Sequence, residues 1–212
     1  LLLLSAIQAN IPVALFELHR LTPGITVFGL SFMTLFSATL IARDRKTALL
    51  QRLYTTPMTS LDFISGYTLP LLPLAVAQSV ICYLVAIPLG LTLSINIVCA
   101  VIGMIPMAIF NIALGLLCGS VLGAKQVGGI CGALFTNLSA WFSGVWFDLN
   151  LVGGTFKSIA NALPFVHAVE LEKALFNGNF ESAASHILPV ILYSVVITAV
   201  AVFCFLRQMK KQ

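Results

Sequence analysis

Residues 43–57 read RDRKTALLQRLYTTP, and they form the one charged, amphipathic segment in a chain otherwise composed of long apolar runs. As a helix, this segment would carry a basic and polar face opposite an apolar one. The apolar face consists of Leu49, Leu50, Leu53 and Tyr54. Pro57 ends the helix, and the segment can lie at a membrane surface with its basic face towards lipid headgroups or a protein. A basic loop that only fixes topology is the alternative.

The composition excludes an ordinary water-soluble fold. Of the 212 residues, 59% are hydrophobic and 8% are charged, whereas about a quarter of the residues in a soluble domain are charged. The sequence therefore predicts a membrane protein embedded in a lipid bilayer. The net charge of +4 comes with no basic run that contains interleaved aromatic residues, so nucleic acid is not an expected partner.

The chain is predicted to be an all-α, polytopic membrane helix bundle, with residues 1–212 forming a single transmembrane domain. Five full spans are visible, at about 23–42, 67–89, 95–122, 127–147 and 187–206. Each has about 20 residues, which at 1.5 Å per residue crosses a hydrocarbon core of roughly 30 Å. The second span contains Pro70, Pro73 and Pro88, where kinks are expected.

Basic residues set the orientation. Eight of the eleven Lys and Arg residues fall in segments 43–66, 123–127 and 207–212: Arg43, Arg45, Lys46, Arg52, Lys125, Arg207, Lys210 and Lys211. Cytoplasmic loops of membrane proteins carry an excess of Lys and Arg. These segments and the C-terminus are therefore predicted to lie in the cytoplasm, and the protein is predicted to reside in the cell membrane. The opening LLLLSAI resembles the tail of a span cut off upstream. A sixth span is therefore expected in the complete subunit.

The five spans as drawn contain no Asp, Glu, Lys, Arg or His. This disfavours an ion-coupled carrier, an ion channel and an intramembrane hydrolase, which need such groups at depth. Three amides, Gln78, Asn111 and Asn137, can sit at one level in the membrane. They form interhelical hydrogen bonds or line a substrate path. Glycines at four-residue spacing indicate close helix packing: Gly115, Gly119 and Gly123, and Gly128 and Gly132.

No catalytic or metal site is predicted. All five cysteines lie in apolar runs without CxxC spacing, which is typical of packing residues. His167, Glu170 and Lys173 share one face of a short helix, but HxxE without a third ligand or a nucleophile favours a solvated face. The stretch GSVLGAKQ, at 119–126, lacks the Gly-Lys-Ser/Thr ending of a phosphate-binding loop. The chain is therefore not expected to hydrolyse ATP alone.

Segment 150–180 is predicted to form short helices that dip into the outer membrane face as a lid. Its apolar side chains would leave too much apolar surface exposed in open water. They are Phe156, Ile159, Leu163, Phe165, Val169, Leu175 and Phe176. The expected role of this lid is gating.

Taken in order, these features resemble the membrane subunit of type 2 ABC exporters of drugs, polysaccharides and lipids. The stretch IARDRKTALLQRLYTTPMT is similar to the family's acidic, basic, Thr, Leu-rich and Thr-Pro pattern. The matching positions are Asp44, Arg45, Thr47, Leu50, Thr56 and Pro57. SLDFISGY resembles the connector into the next span, although Tyr67 replaces the usual Lys and Asp44 replaces Glu. The stretch FSGVWFDLNLVGGTFKSIANALPFVHAVELEKALFNGNF looks like the family's outer segment.

The resemblance implies a dimer of membrane subunits, a homodimer or a heterodimer, above two soluble ABC ATPase subunits that bind the ATP and Mg²⁺. No cofactor is implied in this chain. Residues 44–54 would be the coupling helix that rests on the ATPase. The coupling residues implied are Asp44, Arg45, Thr47, Leu50, Leu53, Tyr54 and Pro57. The transported molecule would be a drug, a lipid or a lipid-linked glycan. An ATPase-independent scaffold or a small uniporter-like protein is the alternative.

Overall fold

The computed structural model describes residues 1–10, 17–45 and 60–209, and within these ranges the chain forms helices and turns without strands. The predicted all-α polytopic bundle is confirmed. In chain order the helices are α1 Leu2–Asn10, α2 Leu18–Asp44, α3 Ser60–Thr68, α4 Leu71–Ala86, α5 Asn96–Gly103, α6 Ile105–Val121, α7 Ala124–Val127, α8 Thr136–Phe142, α9 Leu149–Val152, α10 Gly154–Ala162, α11 Pro164–Phe176 and α12 Phe180–Met209. A 3₁₀ turn, Ile87–Leu89, follows α4, and π-helical turns, Gly128–Phe135, join α7 to α8.

Four described helical stretches are long and apolar enough to cross a membrane: Leu18–Asp44, Ile64–Leu89, Asn96–Val121 and Phe180–Arg207. They correspond to four of the five predicted spans. The first span was predicted to start at Pro23, but its helix begins at Leu18. Pro23 therefore lies inside the helix. Leu21 and Thr22 are buried, and their packing keeps the chain helical ahead of the proline.

The second span is broken at its prolines. The chain leaves helix α3 after Thr68, and Pro70 precedes the start of α4. Pro73 lies in the first turn of α4, where its missing N–H group is tolerated. Pro88 falls in the 3₁₀ turn at the other end. Two of the three prolines therefore coincide with interruptions in the α-helix.

The remaining predicted span, 127–147, is not among the four, because π-helical turns separate α7 from α8. The run nevertheless passes along α2 from one end to the other. Val127 packs in a cluster with Ala42, and Val145 packs against Gly24. The 18 residues between these two positions of α2 correspond to about 27 Å of helix. The described residues thus contain four candidate spans and a fifth run of similar length with a π-helical middle.

The helices alternate in direction. Helices α2 and α6 run parallel, because Thr34 of α2 contacts Asn111 and Arg45, just beyond α2, contacts Gly119. The run α3–α4 is antiparallel to α2, since Tyr67 reaches Asp44. We call the two ends of the bundle the Asp44 end and the His19 end.

Helices α2 and α6 approach closely because α6 carries glycines at the contact. A Cβ atom on Gly115 would lie 2.6 Å from the carbonyl oxygen of Thr34, and one on Gly119 would lie 2.8 Å from that of Ala38. Both distances are shorter than a van der Waals contact allows. The predicted role of these glycines is confirmed at Gly115, Gly119 and Gly132, the last packing on Leu35. A Cβ on Gly128 would meet nothing within 4 Å.

The Gly119→Ala variant is expected to lower the stability of the bundle by about 1–3 kcal/mol, because the added methyl group forces α2 and α6 apart. Gly128→Ala is the matched control, since it adds the same methyl group to open space and gains about 0.5–1 kcal/mol of helix propensity. Thermal unfolding in detergent, followed by size-exclusion chromatography, measures both. Equal melting temperatures for the two variants would contradict the close contact.

Residues 150–180, the predicted lid, form α9, α10, α11 and the connecting turns at the His19 end. Helix α11 is the most deeply buried of the three. Its buried residues are Pro164, Phe165, Ala168, Val169, Leu171, Glu172, Ala174 and Phe176. They recur at the spacing of one helical face, which packs on α5, α2 and α12. That this lid covers the outer face of the membrane stays a prediction.

Candidate functional site

At the Asp44 end, two side chains tie the start of the predicted coupling helix to the bundle. Tyr67 Oη donates a hydrogen bond of 2.6 Å to Asp44 Oδ2. Arg45 Nη1 donates to the carbonyl oxygens of Gly119, at 3.0 Å, and of Ser120. These carbonyls belong to the last turn of α6, where no intrahelical N–H group is available and a positive charge is favoured.

These contacts join three successive spans at one point. Asp44 is the last residue of α2, Tyr67 belongs to α3, and Gly119 to α6. Asp44 and Tyr67, which stand where the resemblance implies Glu and Lys, bond to each other. The sequence reasoning placed Arg45 on a partner-facing surface, whereas here it binds α6. The other predicted coupling residues, Thr47, Leu50, Leu53, Tyr54 and Pro57, lie outside the described residues.

The three amides predicted at one level have different environments. Asn111 is fully buried: its Nδ2 donates to the Met107 carbonyl at 2.9 Å, and Thr34 Oγ1 lies 3.1 Å from its Oδ1. This is the interhelical hydrogen bond that the sequence left open as one of two roles. Gln78 packs on Gly29, and its Nε2 lies 3.4 Å from Cys82 Sγ. Asn137 is exposed on α8.

A buried carboxyl group, which the sequence reasoning missed, joins α11 to α4. Glu172 is 0% exposed, and its Oε1 accepts a hydrogen bond of 2.8 Å from Tyr83 Oη. Its Oε2 has no hydrogen-bond partner within the described part of the chain. Burial raises the pKa of the Glu172 carboxyl well above its usual range, against the smaller opposite effect of the Tyr83 hydrogen bond. Burial therefore favours the neutral form of this carboxyl group.

The sequence did carry a signal for this carboxyl group. Glu172 follows Phe165 and Ala168 by seven and four residues and precedes Phe176 by four, so it lies on the apolar face of α11. A glutamate on the apolar face of a helix must either reach solvent or find a buried partner. Here the ring of Tyr83 stacks on Phe176, with 6.0 Å between ring centroids, and so directs its hydroxyl group at Glu172.

The face of α11 that was predicted to be solvated carries paired side chains. Lys173 Nζ and Glu170 Oε1 form an ion pair at 2.9 Å. His167 Nε2 lies 2.9 Å from the Asn161 carbonyl, and its Nδ1 lies 3.1 Å from Nδ1 of His186 on α12. Because a carbonyl oxygen only accepts, a neutral His167 carries its proton on Nε2 and His186 donates from Nδ1. Among the described residues, no group of three metal-binding side chains is present.

A cavity of about 680 Å³ opens at the His19 end. Its walls come from the first turn of α2, from the turns around 143–149 and 177–179, and from α10, α11 and the start of α12. The polar and charged lining residues are His19, Arg20, Ser143, Asp148, Lys157, Asn161, Glu170, Lys173, Asn177, Asn179 and Ser182. The cavity therefore presents charges of both signs.

A family model described as ABC-2 type transporter matches residues 2–177, which include the helices from α1 to α11. Neither the curated proteins nor the solved structures gave a match. The matched range contains both ends of the bundle, the Asp44 contacts and the buried Glu172.

Proposed function

Because the chain belongs to the ABC-2 type transporter family as a membrane permease subunit, we propose that it forms the translocation path of an ATP-driven exporter. The substrate is hydrophobic or amphiphilic: a drug, a lipid or a lipid-linked glycan. Two copies of such a subunit, identical or different, stand above two soluble ATPase subunits. The Asp44 end is cytoplasmic, which agrees with the concentration of basic residues there.

The observation that carries this proposal is the set of contacts made by Asp44 and Arg45. A soluble ATPase can move the membrane helices only if the segment it touches is firmly connected to them. Asp44 binds Tyr67, and Arg45 binds the last turn of α6. A displacement at residue 45 would therefore act on α2, α3 and α6 together.

Energy from a separate ATPase also fits the distribution of ionisable groups. In the described spans, the charged residues lie near the helix ends: His19, Arg20, Arg43 and Asp44 in the first span, and Glu181, His186 and Arg207 in the last. Glu172 is buried on α11, outside these spans, and its hydrogen-bond partner among the described residues is Tyr83. A single buried carboxyl group does not make the chain of relay groups that proton-coupled transport requires.

Reconstitution tests the proposal. The chain should co-purify from native membranes with a soluble P-loop ATPase, and the complex in liposomes should hydrolyse ATP faster when its substrate is added. The chain alone should show no hydrolysis. Transport at an unchanged rate without ATP, or purification without any P-loop partner, would favour the ATPase-independent scaffold or uniporter.

A further inference from the structure

The cavity at the His19 end is enclosed by parts of the chain that are distant in sequence. Arg20 comes from the first turn of α2, Asp148 from the turn before α9, Lys157 from α10, and Glu170 and Lys173 from α11. Its volume of about 680 Å³ lies in the range of roughly 300–1,000 Å³ found for small-molecule sites. It is separate from the Asp44 end, where the ATPase is proposed to act.

The cavity contains charges of both signs, and they differ in whether they form ion pairs. Lys173 is bound to Glu170, and the Lys173 side chain is the less exposed of the two. Arg20 lines the same cavity and forms no ion pair with any described residue. Amide side chains of Asn161, Asn177 and Asn179 supply further hydrogen-bond donors and acceptors.

Apolar side chains flank the polar cavity. Leu151 and Val152 of α9 and Ile159 of α10 are exposed, Leu151 at 85%. They adjoin the lining residues Leu149, Lys157 and Asn161 in sequence. A molecule bound in the cavity could therefore lay a hydrocarbon chain along these residues. The arrangement fits an amphiphile better than a fully water-soluble ligand.

We propose that this cavity binds the headgroup of a lipid that carries a phosphate next to an amine. The inference rests on the proposed function and narrows its substrate class. Arg20 offers two parallel N–H groups to the phosphate, which is the geometry that guanidinium and phosphate share. Oε2 of Glu170, whose Oε1 pairs with Lys173, receives the amine. A neutral sugar headgroup would leave Arg20 without a counterion, and an anionic headgroup without an amine would place a further negative charge near the Glu170 carboxylate.

Lipid retention by the intact complex, with its ATPase subunits and without ATP, tests this. The complex is placed in nanodiscs of phosphatidylethanolamine, phosphatidylglycerol or monoglucosyl diacylglycerol, and the lipids that remain bound are counted by native mass spectrometry. Retention of phosphatidylethanolamine should exceed that of either other lipid by about tenfold. Arg20→Ala should weaken it by a similar factor, and Glu170→Gln should remove the preference over phosphatidylglycerol. Arg207→Ala, at the opposite end, is the matched loss of one positive charge and should change nothing.

Equal retention of the three lipids, or retention unchanged in Arg20→Ala, would overturn the proposal. Adding ATP distinguishes a transported molecule from a resident lipid of the same headgroup chemistry, because a transported lipid exchanges with turnover. Lipid retention tests the headgroup site, whereas ATP-driven movement of the lipid tests the proposed export function. Selective retention without any ATP-driven movement would contradict export but leave the headgroup site standing.

Discussion

Glu172→Ala should destabilise the protein by about 3 kcal/mol, one of the largest effects expected for a single substitution in this chain. The change leaves the hydroxyl group of Tyr83 buried without an acceptor, which costs about 1–3 kcal/mol. It also opens a void between α11 and α4, because Glu172 is 0% exposed. Thermal unfolding of the purified protein in detergent measures the loss.

Glu172→Gln is the matched control. Glutamine keeps the volume of the neutral carboxyl group, and its carbonyl oxygen still accepts the hydrogen bond from Tyr83 Oη. Tyr83→Phe removes only the donor, so it should fall between the two. A melting temperature for Glu172→Ala equal to that of Glu172→Gln would contradict the buried hydrogen bond and place Glu172 in contact with water.

The stability difference between the wild type and Glu172→Gln should depend on pH, and the direction of this dependence can be predicted. Burial raises the pKa of Glu172 above its unfolded-state value of about 4.3. The contribution of this group is therefore fully present below about pH 4.3 and is lost as the pH rises through the folded-state pKa. The stability of the wild type relative to Glu172→Gln should decrease with increasing pH. A relative stability that increases with pH would mean that Glu172 is ionised in the folded protein.

The membrane fold could be read from sequence because the apolar runs leave little choice. A run of about 20 apolar residues must satisfy its backbone within itself, and a helix does so. The kink at Pro70 was also predictable, because proline has no N–H group with which to continue the helical hydrogen bonds. The glycines of α6 were predicted correctly as a packing surface, because their spacing repeats along one helical face.

The π-helical turns at Gly128–Phe135 could not be predicted, because the change from i→i+4 to i→i+5 hydrogen bonds has no fixed residue signature. Thr136 Oγ1 supports it by donating to the Cys131 carbonyl, five residues earlier, at 3.3 Å. The hydrogen-bond partner of Arg45 could not be predicted either. Its bond to the end of α6 depends on how two helices 74 residues apart in sequence finish at the same level.

Glu172 shows a different limit. Its position on the apolar face of α11 was visible, but Tyr83 lies 89 residues earlier, on α4. The sequence shows that a buried carboxyl group needs a hydrogen-bond partner, but it does not show which residue provides it. The cavity at the His19 end was missed for the same reason, because Arg20, Asp148 and Lys157 come together only in the folded bundle.

Replacing Leu50 and Leu53 together by Asp should abolish transport. Both residues lie outside the described part of the chain, and their role rests on the amphipathic pattern of 43–57 and on the resemblance to the coupling helix. Two carboxylates on the apolar face would be buried without counterions wherever that face docks, at a cost of several kcal/mol. Insertion should survive, because orientation depends on the basic residues. Transport into vesicles and ATP hydrolysis by the complex are the measurements.

The expected outcome is an ATPase that dissociates, or that hydrolyses ATP without transport. Leu93→Asp with Ile95→Asp is the matched control, since it adds two negative charges at residues that are 78% exposed in the loop before α5. Both residues lie between the candidate spans and far from the coupling segment, so transport should persist. Arg45→Ala should give a partial defect, because it removes the tie to α6 and leaves the docking face intact. Normal transport by the Leu50/Leu53 variant with its ATPase still bound would move the contact to the turn that contains Lys125.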